Sequence, residues 1–239
     1  MKELEDLSWF PSVLRNYQTD FIGFVVARFN VYGVFIDHVK ALLLPVQPMT
    51  DLCSGSGEPA ISIFRKSDCF SHLLLTDKYP NTLKFQDDKI TYNMLRADVL
   101  EMEFRQGTCY TMFNAFHHFT DGDKTRIAQR IQASGSRAFF VEILQPNIVC
   151  LLKVFLATTI GSLLLTPFLH PFSLKRLFFT YILPVNILAI TYDGIVSVFK
   201  SRSVMQYQEL FAGTEDTVKV IKLTNGWHPL VVIHIEPRK

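Results

Sequence analysis

The sequence predicts an α/β fold in which a parallel sheet, with helices on both faces, is closed by a C-terminal antiparallel hairpin. Two observations lead to this prediction. Short apolar segments alternate with helical ones between Pro48 and Leu144, and two β-rich runs follow each other near the C-terminus. Alternating strands and helices are typical of a parallel sheet, whereas two strands joined by a short turn form a hairpin. A length of 239 residues suits one such domain with a substantial insertion.

Five strands are predicted in the first part of the chain. They are Met49–Cys53, Leu73–Thr76, a third strand that starts at Thr91 and ends at Asn93 or Leu95, Cys109–Asn114 and Ala138–Leu144. Helical stretches at Ala60–Lys66 and Lys124–Gln132 have the position expected of crossover connections. The two strands of the hairpin are predicted at Thr217–Leu223 and Leu230–Ile235, with a turn over residues 225–229.

The segments outside the sheet divide the single domain further. Apolar residues recur at helical spacing from Leu7 to Leu44, which predicts two or three amphipathic helices that cover the sheet edge or roof a pocket. We therefore expect a helical cap over residues 1–46, a core over 47–145, an apolar helical insertion after the fifth strand over 146–212, and the hairpin over 213–239.

The composition limits the classes of binding partner that we expect. Hydrophobic residues make up 49% of the chain, charged residues 19%, and Phe alone occurs 21 times. This balance is more apolar than that of an average soluble domain, so the protein meets lipid or encloses a large apolar pocket. The net charge is only +2 and no cluster interleaves basic and aromatic residues, so a nucleic-acid partner is not expected.

The cysteines and the first residues indicate the compartment. Cys53, Cys69, Cys109 and Cys150 show neither CxxC nor paired-histidine spacing, so we expect no disulfide framework and no metal site. The opening run, MKELEDLSWF, is acidic and amphipathic and does not resemble a signal peptide. The predicted location is the cytoplasm.

A glycine-containing loop follows the first strand. Gly55 and Gly57 allow backbone angles and a close approach that a Cβ atom would block, and the next helix then directs its N-terminus at the carboxyl edge of the sheet. The spacing of Gly55, Gly57 and Ala60 also fits the dinucleotide fingerprint G-x-G-x-x-G/A. An NAD(P)-dependent oxidoreductase is therefore one interpretation of this loop.

The residues around the loop favour another interpretation. The run D-L-C-S-G-S-G resembles motif I of the class I, Rossmann-like methyltransferases, with Cys53 in place of the first loop glycine. Acidic or polar residues follow the next three strands in the order that the family shows, and the chain ends in the family's hairpin. The resemblance implies S-adenosyl-L-methionine as cofactor. It assigns the cofactor site to Asp51, Cys53, Ser54, Gly55, Gly57, Asp77, Lys78, Asp98, Val99, Asn114 and Phe116.

The resemblance also implies roles within this set. Asp77 would accept hydrogen bonds from the ribose diol, and Asp98 from the adenine amino group, with Val99 against the ring. Asn114 and Phe116 would lie near the methionine part of the cofactor. Each aspartate also has an ordinary alternative, as a helix cap or loop residue.

Three side chains are candidate general bases. His117 and His118 follow the fourth strand in a pair that resembles the "HH" of small-molecule methyltransferases, and imidazole titrates near neutral pH. Asp193 lies in the apolar insertion. The alternatives are histidines that pack on the sheet and an aspartate that caps a helix or binds a backbone amide.

The insertion is long and apolar. Asn147–Leu169 is apolar apart from Lys153, and Leu177–Phe199 apart from Asp193, so each approaches the ~20 residues of a membrane span. Three interpretations remain: a membrane hairpin, a lid over a hydrophobic acceptor, or a lid that also enters the membrane interface. Ionisable groups are costly in hydrocarbon and count against the first. Residues 147–200 are the predicted contact with the inner face of a membrane.

Together these patterns predict methyl transfer to a small, hydrophobic acceptor such as a lipid, quinone, isoprenoid or aromatic metabolite. The rival functions are the oxidoreductase and a membrane-associated binding protein with a vestigial cofactor site. The sequence does not specify an oligomeric state.

Overall fold

The computed structural model describes residues 1–81, 87–214, 216–224 and 229–237. They contain a seven-stranded sheet. Its strands are β1 (Gln47–Leu52), β2 (Phe70–Thr76), β3 (Ile90–Tyr92), β4 (Cys109–Phe113), β5 (Arg137–Glu142), β6 (Val218–Thr224) and β7 (Pro229–Ile235). Their order across the sheet is β3-β2-β1-β4-β5-β7-β6. The first five are parallel, and β7 runs antiparallel to both β5 and β6. The predicted fold class is confirmed. Of the turn predicted over residues 225–229, residues 225–228 lie outside the described residues, and Pro229 begins β7.

Burial explains why the strands are apolar where they are. Every residue of β4 is buried, as expected for a central parallel strand that is covered on both sides, whereas β6 at the edge has mostly half-buried and exposed residues. Successive side chains of β5 enter opposite cores: Phe139 packs in one cluster and Phe140 in the other. The sheet therefore separates two hydrophobic layers.

Helices cover both faces. The helices are α1 (Ser12–Arg28), α2 (Gly33–Ala41), α3 (Ala60–Lys66), α4 (Asp121–Ala133), α5 (Ile148–Leu156), α6 (Ser162–Leu165), α7 (Leu174–Leu177), α8 (Val185–Lys200) and α9 (Val204–Leu210). Helices α2 and α3 contribute Phe35 and Ile63 to one core, while α4 and α9 contribute Ile127 and Tyr207 to the other. Helix α9 begins with a capping box between Ser203 and Gln206, which satisfies backbone N–H groups of its first turn.

The insertion forms two helical arms. The first arm is one continuous helix from Ile148 to Phe168, with a wide π-type turn at Ala157–Gly161. The second joins Leu174–Ile182 to α8 at a bend of 77°. The first arm is long and apolar enough to cross a membrane. Two bent helix pairs pass the same test if each pair counts as one span: Ser12–Arg28 with Gly33–Ala41, and the second arm. The described residues then contain up to three candidate spans.

The insertion packs on the N-terminal helices. Ala189 and Ile190 of α8 lie against Tyr17 and Phe21 of α1. At Gly194 a Cβ atom would lie 2.7 Å from Cγ1 of Val154, so glycine permits α5 and α8 to approach closely. The two arms and α1 thus form one layer, and this layer lies over the carboxyl ends of the parallel strands.

Candidate active site

A cavity of about 570 Å³ lies between this helical layer and the sheet. Its floor consists of the segments that follow the five parallel strands, and its roof of residues from α1, α5 and α8. Ligand sites of parallel α/β sheets occur at this carboxyl edge, and the volume lies within the ordinary range for small-molecule pockets.

The loop after β1 depends on left-handed backbone angles. Gly55 has φ 51° and Gly57 φ 87°, and Cys53 adopts φ 57° although it carries a side chain. A Cβ atom on Gly57 would lie 2.7 Å from Cδ1 of Ile61. Cys53, Ser54 and Gly55 line the cavity, whereas Gly57 packs behind the loop, where it allows the close contact with α3.

Asp77 ties this loop to β2. One carboxylate oxygen accepts the N–H of Gly55 and the other the N–H of Tyr79, both at 2.8 Å. Burial raises the pKa of Asp77. Because each carboxylate oxygen can accept two hydrogen bonds, the side chain shapes the loop and keeps capacity for a hydroxyl pair in the cavity.

Asp98 forms the far wall of the cavity together with Lys78. The Lys78 ammonium lies 2.8 Å from the Asp98 carboxylate, which also accepts the N–H of Leu100 at 3.1 Å. Burial favours the neutral acid, but Lys78 and Leu100 outweigh it and lower the pKa of Asp98. Val99 is buried beside it and lines the cavity. Asp98 therefore has the loop role that was its alternative and also lines the cavity, while its role towards a cofactor stays a prediction.

Besides Gly57, two predicted cofactor residues, Asp51 and Phe116, do not line the cavity. Asp51 is buried and accepts the hydroxyl of Thr111 at 2.6 Å, so it joins β1 to β4 beneath the loop; burial raises its pKa to about 7. The Phe116 ring is fully buried against Phe140 and Tyr207 in the core beneath the sheet. The expected place of Phe116 beside the methionine part of the cofactor is therefore wrong, because the turn after β4 directs its ring into that core.

Asn114 does face the cavity. It has φ 50°, a left-handed conformation at the end of β4, and its N–H donates to the carbonyl of Val141 at 2.8 Å. Its side-chain Oδ1 is buried and accepts no hydrogen bond within the described part of the chain. A buried acceptor of this kind fits a ligand that brings a donor, because buried polar groups are nearly always paired.

His117 is held by the buried carboxylate of Glu142. Glu142, the last residue of β5, has a side chain that is 1% exposed and lies 2.7 Å from Nδ1 of His117. Its other oxygen accepts the N–H of Phe116 at 2.7 Å. Nε2 of His117 has no hydrogen-bond partner among the described residues. Glu142 therefore keeps the Nδ1 proton in place and leaves the Nε2 lone pair free.

His118 has a different environment. Its Nδ1 lies 3.1 Å from both Asp6 oxygens and its Nε2 3.3 Å from Glu3. Burial lowers the pKa of His118, but the hydrogen bond to Asp6 and the charges of Glu3, Glu5 and Asp6 outweigh burial and raise it to about 9. His118 is therefore an imidazolium at neutral pH, with both ring nitrogens directed at carboxylates.

These carboxylates come from an N-terminal strap, residues 1–7, that sequence reasoning did not place in the site. Glu3 is fully buried and accepts hydrogen bonds from Ser197 and Lys200, both at 3.0 Å. Met1, Lys2, Glu5 and Asp6 line the cavity. A run of three acidic residues within six positions of an apolar chain was the signal available in the sequence.

Asp193 holds the strap from the other side. Its carboxylate accepts the N–H groups of Leu4 at 2.5 Å and Glu5 at 3.2 Å, and burial raises its pKa to about 6. This is the backbone-binding alternative considered for Asp193. Arg15 adds two bonds of 2.9 Å, to the carbonyls of Glu5 and Leu7. The strap is thus fixed along its length and forms one wall of the cavity.

Comparison with known proteins identifies the fold. No family model and no curated protein sequence matches the chain. Among solved structures, the plantazolicin methyltransferase BpumL, in complex with a desmethylPZN analog and SAH, is similar over 95% of this chain and 88% of its own, at 14% identity and a TM-score of 0.53. An O-methyltransferase family 2 protein from Planctomyces limnophilus, in complex with apigenin, is similar over 93% of this chain and 62% of its own, at 15% identity and a TM-score of 0.53.

Human N-acetylserotonin methyltransferase in complex with SAM is a more distant likeness, with a TM-score of 0.48 and 14% identity over 80% of this chain. The chain spans about half the length of that enzyme, 48%, and 49% of the mitomycin 7-O-methyltransferase MmcR. The fold of this chain is the Rossmann-like fold of class I methyltransferases.

Proposed function

We propose that the protein transfers a methyl group from S-adenosyl-L-methionine to a small, hydrophobic acceptor. The proposal rests on one arrangement. The glycine loop, Asp77 and Asp98 line the same cavity as His117, whose buried Nε2 has no hydrogen-bond partner among the described residues. The cofactor supplies a methyl group already activated by a positively charged sulfur. The remaining tasks of the protein are to align the two reactants, to exclude water and to remove the acceptor's proton.

The floor of the cavity suits the cofactor. The retained acceptor capacity of Asp77 matches a ribose diol, and Asp98 with Val99 offers a carboxylate beside an apolar surface for a flat base. The unpartnered Oδ1 of Asn114 at the end of β4 fits an ammonium or amide donor from the amino-acid end. These residues follow successive strands, so a ligand that touches all of them lies along the carboxyl edge of the sheet.

The roof of the cavity suits an apolar acceptor. Its lining includes Phe21, Ile22, Val25, Val154 and Ile190. A lipid, quinone, isoprenoid or aromatic metabolite has the matching chemistry, and this match is the basis for proposing one of these classes.

Of the three candidate bases, His117 is the one that we propose. Its Nε2 can accept a proton, and Glu142 at 2.7 Å from Nδ1 stabilises the imidazolium that results. His118 is already protonated at neutral pH, and the Asp193 carboxylate is engaged by two backbone amides. General base catalysis of this kind contributes about 10²- to 10⁴-fold to a rate.

We further propose that the first arm of the insertion lies in the membrane interface, on the cytoplasmic side. Its outer side exposes a continuous apolar stripe, and only 11% of its most apolar window is buried. The stripe consists of Ile148, Val149, Leu152, Phe155, Leu156, Ile160, Leu163 and Leu164. An exposed apolar surface of this extent marks an interaction site. Since Val154, Ala157 and Thr158 of the same arm line the cavity, an acceptor dissolved in the bilayer would reach His117 without crossing water.

The cofactor is tested by isothermal titration with S-adenosylhomocysteine, with NAD(H) as the competing ligand class. We expect micromolar binding of S-adenosylhomocysteine that Asp77→Ala abolishes. Asp68→Ala, an exposed carboxylate at the opposite edge of the sheet, is the matched control and should bind normally. Binding of NAD(H) alone would overturn the proposal in favour of an oxidoreductase.

The membrane contact is tested by flotation with vesicles that contain anionic lipid. We expect the protein to float with the vesicles and Phe155→Glu to remain in the aqueous fraction, because a charge on the stripe would have to enter the apolar interface. Met205→Glu, at an exposed methionine of α9, is the control and should still float. Equal behaviour of Phe155→Glu and the wild type would contradict this part.

A further inference from the structure

Three potential metal ligands meet beneath the N-terminal strap. Glu3, His117 and His118 each present one ligand atom, and these atoms lie within 4.8 Å of one another. Nε2 of His117 is 3.9 Å from one Glu3 oxygen, and Nε2 of His118 is 3.3 Å from the other. A further carboxylate, Glu5, lies 3.6 Å from the same His118 nitrogen.

At His117 the spacing fits a shared cation better than direct contact with Glu3. A separation of 3.9 Å is too long for a hydrogen bond, and Nε2 of His117 has no partner among the described residues although its side chain is 1% exposed. Ligands bound to tetrahedral zinc at about 2.0–2.1 Å lie about 3.3–3.4 Å from one another. The His118–Glu3 separation of 3.3 Å matches this value, and the His117–Glu3 separation of 3.9 Å would have to shorten by about 0.5 Å around a cation.

The Nδ1 atoms of both histidines have the carboxylate partners that are typical of metal-binding histidines. Nδ1 of His117 is 2.7 Å from Glu142, and Nδ1 of His118 is 3.1 Å from Asp6. A ligating histidine almost always donates its other N–H to a carboxylate or carbonyl, which fixes the ring and leaves the inner nitrogen to the metal. Both histidines present Nε2 inward on this pattern.

The local charge also favours a cation. The carboxylates of Glu3, Glu5, Asp6 and Glu142 lie within 4 Å of the two imidazoles, and Lys200 bonds to Glu3 at 3.0 Å. His118 is protonated at neutral pH, so a divalent cation would displace the proton from its Nε2 and supply the positive charge in its place.

We propose that Glu3, His117 and His118 bind a divalent transition-metal cation of the zinc class, with its fourth position directed at the cavity. Two imidazoles and a carboxylate select zinc over magnesium or calcium, which prefer all-oxygen sites. Three protein ligands with one open position are the pattern of catalytic rather than structural zinc. The sequence argument against a metal considered only local spacing and missed this set, because Glu3 is 114 positions from His117.

One consequence rests on the proposed function. A cation bound to Nε2 of His117 occupies the lone pair that otherwise serves as the base. An acceptor hydroxyl at the open position would then be acidified by the cation and lose its proton to water. Its oxygen lone pair would form the bond to the methyl carbon, while the carbon–sulfur pair stays on the sulfur.

The test is titration of the full chain with zinc chloride after dialysis against EDTA, with S-adenosylhomocysteine binding measured on the same samples. We expect one zinc ion per chain with a Kd at or below the micromolar range. Glu3→Gln and His118→Asn should each weaken it at least tenfold. Lys200→Gln should tighten it, because the competing ammonium is removed. Glu101→Gln, at an exposed carboxylate, is the control.

No saturable zinc binding, or equal binding by the wild type and Glu3→Gln, would overturn the metal site. The thermal unfolding temperature of each variant, compared with that of the wild type, distinguishes a loss of zinc binding from a loss of the folded structure. The two proposals can be contradicted separately. Binding of S-adenosylhomocysteine without binding of zinc would contradict only the metal site. Binding of zinc without binding of S-adenosylhomocysteine would contradict the proposed methyltransferase function.

Discussion

The floor and the roof of the cavity are built in different ways. The floor is the edge of a sheet whose central strand β4 is entirely buried, and the carboxylates of Asp51, Asp77 and Asp98 are paired within a few residues or to a neighbouring strand. The roof is a helical layer that leaves large apolar side chains exposed, and it is held by polar contacts between residues almost 190 positions apart. A floor with paired polar groups suits a polar cofactor, and an apolar roof suits a hydrophobic acceptor.

The largest expected effect concerns the group at which floor and roof meet. His117→Asn should lower methyl transfer by about 10²- to 10⁴-fold while S-adenosylhomocysteine affinity changes less than about threefold, because the histidine acts on the acceptor. His72→Asn, at an exposed histidine of β2, should leave turnover unchanged. An equal loss of cofactor affinity in His117→Asn would place His117 in the floor instead.

A pair of phenylalanines compares the two regions directly. Phe139 is fully buried and Phe155 is 46% exposed. Phe139→Ala should lower the free energy of unfolding by about 3–5 kcal/mol, and Phe155→Ala in lipid-free buffer by less than about 0.5 kcal/mol. Urea denaturation measures both values. A large loss in Phe155→Ala would mean that the exposed stripe packs against protein in solution.

The strap should make stability depend on pH through His118. Its folded pKa of about 9 lies above the ordinary value, so its contribution is complete below about pH 6.5 and is lost as the pH rises through 9. The buried Glu5, with a pKa raised to about 8, lowers stability over part of the same range. Between pH 6.5 and 9, the free energy of unfolding of His118→Gln should therefore fall by about 2 kcal/mol less than that of the wild type. Parallel curves for variant and wild type would contradict the assignment.

The smallest effect is expected at the rim of the floor. Lys78 is 44% exposed, so its ion pair with Asp98 is screened by solvent and contributes about 0–1 kcal/mol. Lys78→Ala should therefore weaken S-adenosylhomocysteine binding by less than about fivefold, which titration at two salt concentrations measures. A loss as large as that of Asp77→Ala would show that the ammonium touches the cofactor.

The sequence predicted the floor well for a physical reason. Strand and helix periodicity is local, so the seven strands and α3 were found with bounds that differ by a few residues at most, and the loop glycines carry their own signal. The direction in which a single aromatic ring points depends on residues that are distant in the sequence. Phe116 turned into the core because Phe140 and Tyr207 offer it a partner from distant segments.

The strap shows the same limit more strongly. Nothing near Glu3 in the sequence specifies Ser197 or Lys200, which bind it, and the burial of Glu142 depends on the turn that carries His117. The contacts of Asp193 with Leu4 and Glu5 could be foreseen only as an unspecified backbone bond. Periodicity therefore predicts the part of the site that binds the cofactor, while the part that acts on the acceptor requires the tertiary structure.

The most direct test of the central claim is transfer of label from methyl-tritiated S-adenosyl-L-methionine to an extract of lipids and small metabolites from the cells that produce the protein. The account predicts label in the organic phase that depends on the protein and falls by at least a hundredfold with His117→Asn. Label in neither phase above that of the His117→Asn sample would contradict methyl transfer at this site.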